Sequence, residues 1–598
     1  MLRPKCKQSL GSSRDGQGRP IGLATLLTVA LVVSLAPRLW GQNPEYLISR
    51  SAVGKPGGRL VFSLRAEPKT LMPLNALDAS SKEIQGLLHS DLVHIHRPSQ
   101  ETRPALAREW SRSRDGKQYT LQLRRGLKFS DGQPLTVADV LFTFRVLLDE
   151  NVKAPGRDLL RVDGKFPTLR AVGENAIEVT LPAPYAPAER LFDSIAILPR
   201  HKLEAAYLAG KLLEKWTVGA PSSELAGTGP FRLKEYLPGQ RMVLERNPHY
   251  WKRDTAGVQL PYLDEVVVIF SPNPEAELLR FRAGDTHLHS RLTARGYGSL
   301  ERLPLEQRPI LKDLGPGLEQ HFLFFNQNDL TDSGLSALLA KRGWLQDVRF
   351  RRAVSMAIDR AGIARLVFQG KASALSSHVS PGNKLWYSGA SSVPVRSVDE
   401  ARRQLKAMGL TWKGEQLVDS SGNAVSFTVA MNAANTEQRQ MAAMIQEDLR
   451  ALGITVSLAP LEFRSLIDRV LNTKDYEAAI LALRDGDVDP TAQMPMLLSS
   501  GRMHFWHPNQ PQPATAWEGE IDRLMKRQVS EIDPLKRKTD YAQVQRIISR
   551  ELPFLGLVSP HVLIGAHRAL RNVQSAVLAP HLLEGLDEIY WAVENIKP

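Results

Sequence analysis

The stretch that decides the fold is Leu106–Leu148, LAREWSRSRDGKQYTLQLRRGLKFSDGQPLTVADVLFTFRVLL. Tyr119, Leu121 and Leu123 alternate with Thr120 and Gln122, the two-residue period of a half-buried strand. Asp115-Gly116 is a turn signal before it, so the strand belongs to a hairpin or meander. Asp131-Gly132 and Pro134 make a second turn, after which a helix begins. Thr136 is placed to cap that helix, with Asp139 three residues on, an acidic variant of the capping box. Val140, Leu141, Phe144, Leu147 and Leu148 then fall on one helical face. Taken alone, the stretch is a scaffold of turns and a capped helix, and nothing in it is catalytic.

Working outward, 598 residues exceed one ordinary core, so two or three lobes are expected. The composition, 43% hydrophobic and 23% charged, is that of a soluble globular chain. Cys6 is the single cysteine, which excludes a disulfide framework or a cysteine-rich metal site within the chain. The formal charge is +14, yet no Lys/Arg block carries interleaved aromatics and no nucleic-acid motif is present. The basic balance therefore reads as a solvated surface, and no nucleic-acid partner is expected.

Residues 1–41 read as a targeting segment. Arg3, Lys5, Lys7, Arg14 and Arg19 precede the apolar run Ile21–Ala36, which at 16 residues is short for a membrane span and suits a signal-peptide core. Cleavage is expected near Gly41-Gln42, with an uncleaved N-terminal anchor as the alternative. Residues 42–57 are polar and contain Gly and Pro, and read as a tether.

Further blocks follow in order. Arg59–Leu64 alternates as a strand and runs on through Glu67-Pro68 to Leu71-Met72-Pro73. Ser80 and Glu83 form a capping box before Ile84, Leu87 and Leu88. Ile195–His201 (IAILPRH) leads into a helix. Gly227-Thr228-Gly229-Pro230-Phe231 precedes Met242–Tyr250 (MVLERNPHY) and Trp251. Its glycines lack the pattern of a nucleotide loop, and are expected to permit φ values that other residues resist. Pro261–Asp264 (PYLD) opens the strand Val266–Phe270. Gly315-Pro316-Gly317 is a breaker before the apolar strand His321–Asn326 (HFLFFN), and the first crossing between lobes is placed there. Asp347–Arg360 (DVRFRRAVSMAIDR) is a helix with a buried stripe and an arginine side. Ser426–Met431, a helix capped by Asn435, Gly453 and Ile454–Leu458 make a βαβ unit.

In this order the blocks resemble the bacterial extracellular solute-binding proteins of family 5, which include oligopeptide-, dipeptide- and nickel-binding receptors of ATP-driven importers. The run LKFSDGQPLTVADVLFTF resembles the family's signature. The GTGPF, RNPHYW and PYLD blocks resemble others, and the likeness extends from about Gly57 to the C-terminus. It implies an α/β, two-lobed periplasmic-binding-protein-like (type II) fold with an extra subdomain in the first lobe. The expected divisions are 58–95, 225–315 and 556–598 for the first lobe, 96–224 for the subdomain and 316–555 for the second lobe. The implied function is an exported, extracytoplasmic receptor that encloses a peptide or similar polar solute. It would deliver that solute to a membrane ABC permease with separate ATPase subunits. A monomer without cofactor is expected. A membrane-anchored sensor or an enzyme on the same scaffold are the rival readings; a nickel chelate or an oligosaccharide are the rival ligands.

The ligand would lie where the apolar strand Ala478–Leu483 runs into Arg484-Asp485-Gly486-Asp487-Val488-Asp489-Pro490. A charged loop after a buried strand is where an α/β lobe presents binding groups. In peptide-binding relatives this loop supplies an aspartate for the peptide's ammonium four residues before a proline. Here that position is Gly486, so Asp485 and Asp487 are the candidates, with Arg484 beside them. Trp506, in the sequence HFWHP, is either a pocket floor or a core plug. Phe325, Asn326 and Glu67 complete the candidate set. His94 with His96, and His287 with His289, are spaced to share a strand face, but no ligand set accompanies them and no metal is expected. The arginines at 349, 351 and 352 read as a solvated or carboxylate-paired face rather than an anion site. No G-x-S-x-G, H-E-x-x-H or Walker A pattern occurs, and no enzyme activity is expected.

Overall fold

The computed structural model describes residues 45–193, 195–330, 335–389 and 395–592. The leader lies outside them. No helix of the described residues is long and apolar enough to cross a membrane.

The chain forms two lobes, each built on a sheet. The first lobe holds an eight-stranded sheet whose strands run, side by side, Ile310–Pro316, Val558–Ala566, Leu288–His289, Arg59–Leu64, Glu265–Phe270, Arg241–Arg246 and Phe231–Leu237, with Ala372–Ala374 added along Val558–Ala566. The second lobe holds five strands in the order Thr455–Leu461, Ser426–Asn432, Ala478–Arg484, Glu319–Phe325 and Phe554–Gly556. Ser426–Asn432 lies parallel to Thr455–Leu461 and to Ala478–Arg484, joined to the first by the helix Thr436–Arg450, the βαβ unit the sequence predicts. Two short strand-to-strand connections pass between the lobes. Ile310–Pro316 passes to Glu319–Phe325 through Gly317-Leu318, and Phe554–Gly556 passes to Val558–Ala566 through Leu557. The Gly317 carbonyl accepts hydroxyl hydrogen bonds from Ser380 and Ser559 at 2.5 and 2.9 Å, which fixes the first crossing.

The opening stretch forms as read. Ala107–Arg112, Gln118–Leu123, Ala176–Thr180 and Thr168–Val172 make a separate four-stranded antiparallel sheet. Tyr119, Leu121 and Leu123 are buried there. The helix Val137–Leu148 starts at Thr136, whose N–H and hydroxyl both donate to Asp139, each at 2.9 Å. It is buried on more than the expected face, because Phe142 packs on Tyr207 of the neighbouring helix Arg200–Leu208.

Three local expectations are corrected. The helix Ala79–Leu88 is capped by Asp78, which accepts from Ser81, so the box at Ser80 and Glu83 does not form. Gly227 and Gly229 have no left-handed φ. They are needed because a Cβ at each would stand 2.0 Å from the Leu88 carbonyl oxygen and 2.5 Å from that of Leu87. The loop thus seats on the C-terminal end of the helix Ala79–Leu88, where Gly229 N–H donates to Leu88. Finally, residues 45–57 are not a free tether: Leu47–Ile48 pairs with Lys252–Arg253, and the Ser49 hydroxyl donates to Glu588 at 2.7 Å.

Candidate ligand-binding site

The loop Arg484–Pro490 leaves the C-terminal end of Ala478–Arg484, the middle strand of the second-lobe sheet, where the lobes meet. Beside it, Ile95, Leu318, Val488, Val577 and Leu578 form a small apolar cluster drawn from both lobes. Four charged side chains occur in the loop, and three are matched within the protein. Arg484 donates to Glu319 on the adjacent strand. A hydrogen bond from His321, together with the Arg484 charge, holds Glu319 down to about 2. Asp487 receives a two-pronged hydrogen bond from Arg190, the Nε branch at 2.6 Å. Asp489 caps the turn at Pro490 and receives both forks of Arg537 at 2.9 and 3.0 Å, the pair being buried together.

Asp485 differs. Among the described residues no cation bonds to it. Gln493 donates to its Oδ2 at 2.7 Å and Gln320 to the same oxygen at 3.4 Å. Tyr541, buried, donates its hydroxyl proton to Gln493 Oε1, which turns the Gln493 amide nitrogen toward Asp485. Among the described residues no protein donor bonds to Oδ1. Burial pushes the carboxyl up to about 7, with the neighbouring Asp487 charge adding to the effect and the two amides opposing it. A half-buried carboxylate with two neutral amide donors and one free oxygen is suited to a cation brought by a ligand.

Of the other predicted residues, three face the interior of the second lobe. Trp506 is 1% exposed, packs with its ring tilted against His504 at 3.9 Å and Phe554 at 5.5 Å, and is therefore the core plug of the two readings. Phe325 packs against Phe350 and Phe427. Asn326 donates to the carbonyls of Lys474 and Tyr476, both at 2.8 Å, and braces the backbone. These places correct the expectation that they line the cleft. The strand Glu319–Phe325, which ends in Phe325 and leads into Asn326, is paired on both edges and covered on both faces, so alternate residues enter two different cores. Glu67 accepts from the Tyr236 hydroxyl and from Gly239 N–H, within the first lobe. Sequence reading missed Arg190, Gln320, Gln493 and Tyr541, which lie far from the loop in the chain or carry no motif.

The histidine pairs resolve into packing and charge networks. His287 accepts from Val61 N–H and meets the Trp591 ring at 4.9 Å; burial lowers it and His289 to about 4. Asp91, His94 and Asp193 bring three potential metal ligands within 4.8 Å of one another. Arg97 bonds Asp193 at 3.0 Å, and both His94 nitrogens meet carboxylates, Asp91 at 3.0 Å and Glu584 at 3.1 Å. Carboxylates thus do accompany His94, contrary to the expectation, and against its burial the hydrogen bonds to Asp91 and Glu584 lift the imidazole to about 9. Arg351, 2% exposed, donates to the carbonyls of Glu551 and Leu552 at the end of the helix Pro534–Glu551, so it closes a helix rather than holding an anion.

A cavity of about 610 Å³ opens between the four-stranded sheet and the turn joining the helices Ala516–Ser530 and Pro534–Glu551. Arg112, Arg114, Pro184, Arg527 and residues 530–534 line it, and none of the loop aspartates reaches its wall.

With this geometry in hand, the family model described as "Bacterial extracellular solute-binding proteins, family 5 Middle" matches residues 101–505. The oligopeptide-binding protein AppA of Bacillus subtilis is 25% identical over 562 residues, 90% of this chain and 93% of its own length. A probable ABC transporter-binding protein of Deinococcus radiodurans is 25% identical over 484 residues, 77% of this chain and 80% of its own. The crystal structure of the ABC transporter substrate-binding protein CtaP of Listeria monocytogenes superposes with a TM-score of 0.73 at 22% identity, covering 90% of this chain and all of that one.

Proposed function

Because the chain belongs to the bacterial extracellular solute-binding proteins of family 5, we propose that it clamps a peptide by its ammonium group on Asp485. It is the extracytoplasmic receptor of an ABC-type importer. Two lobes joined by two strand crossings close around the solute, and contacts made only in the closed form give the ligand its hold on the equilibrium. The closed complex then docks on its membrane permease and releases the solute chemically unchanged.

One observation carries the ligand reading: in a loop with three aspartates, Asp485 alone lacks a cation among the described residues and keeps an oxygen free. The free ammonium of a peptide supplies that cation. Its binding requires the carboxylate form, so affinity should rise between pH 5 and 8 as Asp485 loses its proton near 7.

The test is a thermal-shift titration of ligand-stripped protein with trialanine, with its N-acetylated form, and with the Asp485→Asn variant. A stabilisation at pH 8 that disappears on acetylation or in the variant is expected. Equal stabilisation of wild type and variant would remove Asp485 from the site. Mass spectrometry of the peptide after incubation should return it intact.

A further inference from the structure

Asp487 already holds a cation, and that cation comes from across the molecule. Arg190 lies in the turn of helix Ala188–Phe192, beside the four-stranded sheet of the first lobe; Asp487 lies on the second-lobe loop. The Arg190 side chain is 11% exposed and that of Asp487 29%, so the pair is sheltered at the lobe junction.

The pair does not stand alone. Arg190 also donates to the Gln100 carbonyl at 3.0 Å. Gln100 is 1% exposed and has φ of 66°, a left-handed backbone that a side chain resists by about 1 kcal/mol. Its side chain explains why that conformation is kept. Nε2 donates to the Gly382 carbonyl at 2.8 Å, and Oε1 accepts from Lys384 N–H at 2.9 Å. The segment it grips is fastened to the second lobe: Asn383 donates to the Val488 carbonyl at 2.7 Å, and Gln545 donates to the carbonyl of Trp386 at 2.9 Å. Further along the same seam, Ala186 N–H donates to the Val529 carbonyl at 2.8 Å. Ile532 sits so close to Gly116 that a Cβ there would stand 2.3 Å from Ile532 Cδ1. A strained residue whose side-chain amide bonds across one junction through both its nitrogen and its oxygen indicates a contact on which the structure depends.

We infer that Arg190 and Asp487, supported by Gln100, form a latch that holds the ligand-free receptor closed. The guanidinium plays toward Asp487 the part that a ligand cation plays toward Asp485, so closure does not wait for ligand alone. The inference uses the clamp reading above and not the identity of the ligand, so the two fail separately.

Small-angle X-ray scattering of ligand-stripped protein tests it. Wild type should give the radius of gyration calculated for the closed arrangement. Asp487→Asn, which keeps shape and removes charge, and Arg190→Gln should each give a larger radius with an unchanged circular dichroism spectrum. Arg484→Gln breaks an ion pair confined to the second lobe and should scatter as wild type does. A wild-type radius already as large as that of the two variants, or variants as compact as wild type, would overturn the latch.

Discussion

Around His94 and along Arg484–Pro490 the same ratio of charges is arranged in two ways. Near His94, the carboxylates of Asp91, Asp193 and Glu584 face two cations, His94 and Arg97. In the loop, Asp485, Asp487 and Asp489 face two cations from elsewhere, Arg190 and Arg537. Imidazolium donors point in opposite directions, so His94 bridges Asp91 and Glu584, and all three acids are satisfied. A guanidinium fork grips one carboxylate with two parallel bonds. Arg190 and Arg537 each do so, which leaves Asp485 over. The choice of cation type therefore decides whether every acid of a cluster is matched or one is left without a cation. The first cluster is a structural staple joining segments 490 residues apart; in the second, arginines tie Asp487 and Asp489 and leave Asp485 without one.

The largest effect should come from cutting a tied arm. Arg537 and Asp489 have side chains 7% and 3% exposed, and the guanidinium also lies 4.7 Å from the Trp386 ring centre. Arg537→Ala leaves a buried, unpaired carboxylate and should cost about 3–5 kcal/mol in urea unfolding. Adding Asp489→Asn to that variant should return part of the loss, since the stranded charge is then gone. A cost under about 1 kcal/mol would show that Asp489 does not depend on its arginine and would break the comparison.

The next test separates the two regions by pH. Burial acts to lower His94, but its hydrogen bonds to Asp91 and Glu584 prevail and lift it to about 9. Its contribution to stability is full below 6.5 and is lost as pH rises through 9. Asp485 is lifted to about 7, so the unfolded chain gives up that proton near 3.8 while the folded chain keeps it; stability falls between about 4 and 7 and the penalty is complete above. Melting temperature against pH should therefore decline in two successive windows. His94→Gln should flatten the upper window and lower stability at pH 6. Asp485→Asn should flatten the lower window and raise the stability of ligand-free protein at pH 8 by about 1–2 kcal/mol. A destabilised Asp485→Asn at pH 8 would mean that the carboxylate is structural, like those around His94.

How much of this was legible beforehand follows the distance over which each feature is encoded. The strand at Tyr119–Leu123, the cap at Thr136 and the βαβ unit ending at Thr455–Leu461 rest on local periodicity and on residues three apart, and they read directly. The loop Arg484–Pro490 read as a site because its charges stand together after an apolar strand. Its partners did not: Arg190 is 297 residues from Asp487 and Arg537 is 48 from Asp489. Without them, Asp485 and Asp487 look equivalent. Phe325 misled, and Trp506 stayed open between pocket floor and core plug, for a related reason. An aromatic near a loop looks like a pocket wall until both faces of the sheet are seen to be covered. Gly227 and Gly229 are glycines for what lies against them, the carbonyls of Leu87 and Leu88, and a linear pattern does not carry that neighbour.

The smallest effect should come from Arg484, which shares the loop with Asp485 but belongs to neither class of arm. Its side chain is 55% exposed and that of its partner Glu319 29%. Exposed pairs of this kind contribute about 0–1 kcal/mol, because water already solvates both charges and holding two long side chains in register costs entropy. Glu319 also keeps its bond to His321, so removing the arginine strands no buried charge. Arg484→Gln should thus shift urea unfolding by less than about 0.5 kcal/mol, and the shift should shrink further in high salt. Its use is as a control of position against chemistry. If proximity to the cleft made a loop charge important, Arg484 would matter as much as Asp485. If what matters is a charge lacking its partner, trialanine binding should survive Arg484→Gln and vanish in Asp485→Asn, although the two residues are adjacent in the chain.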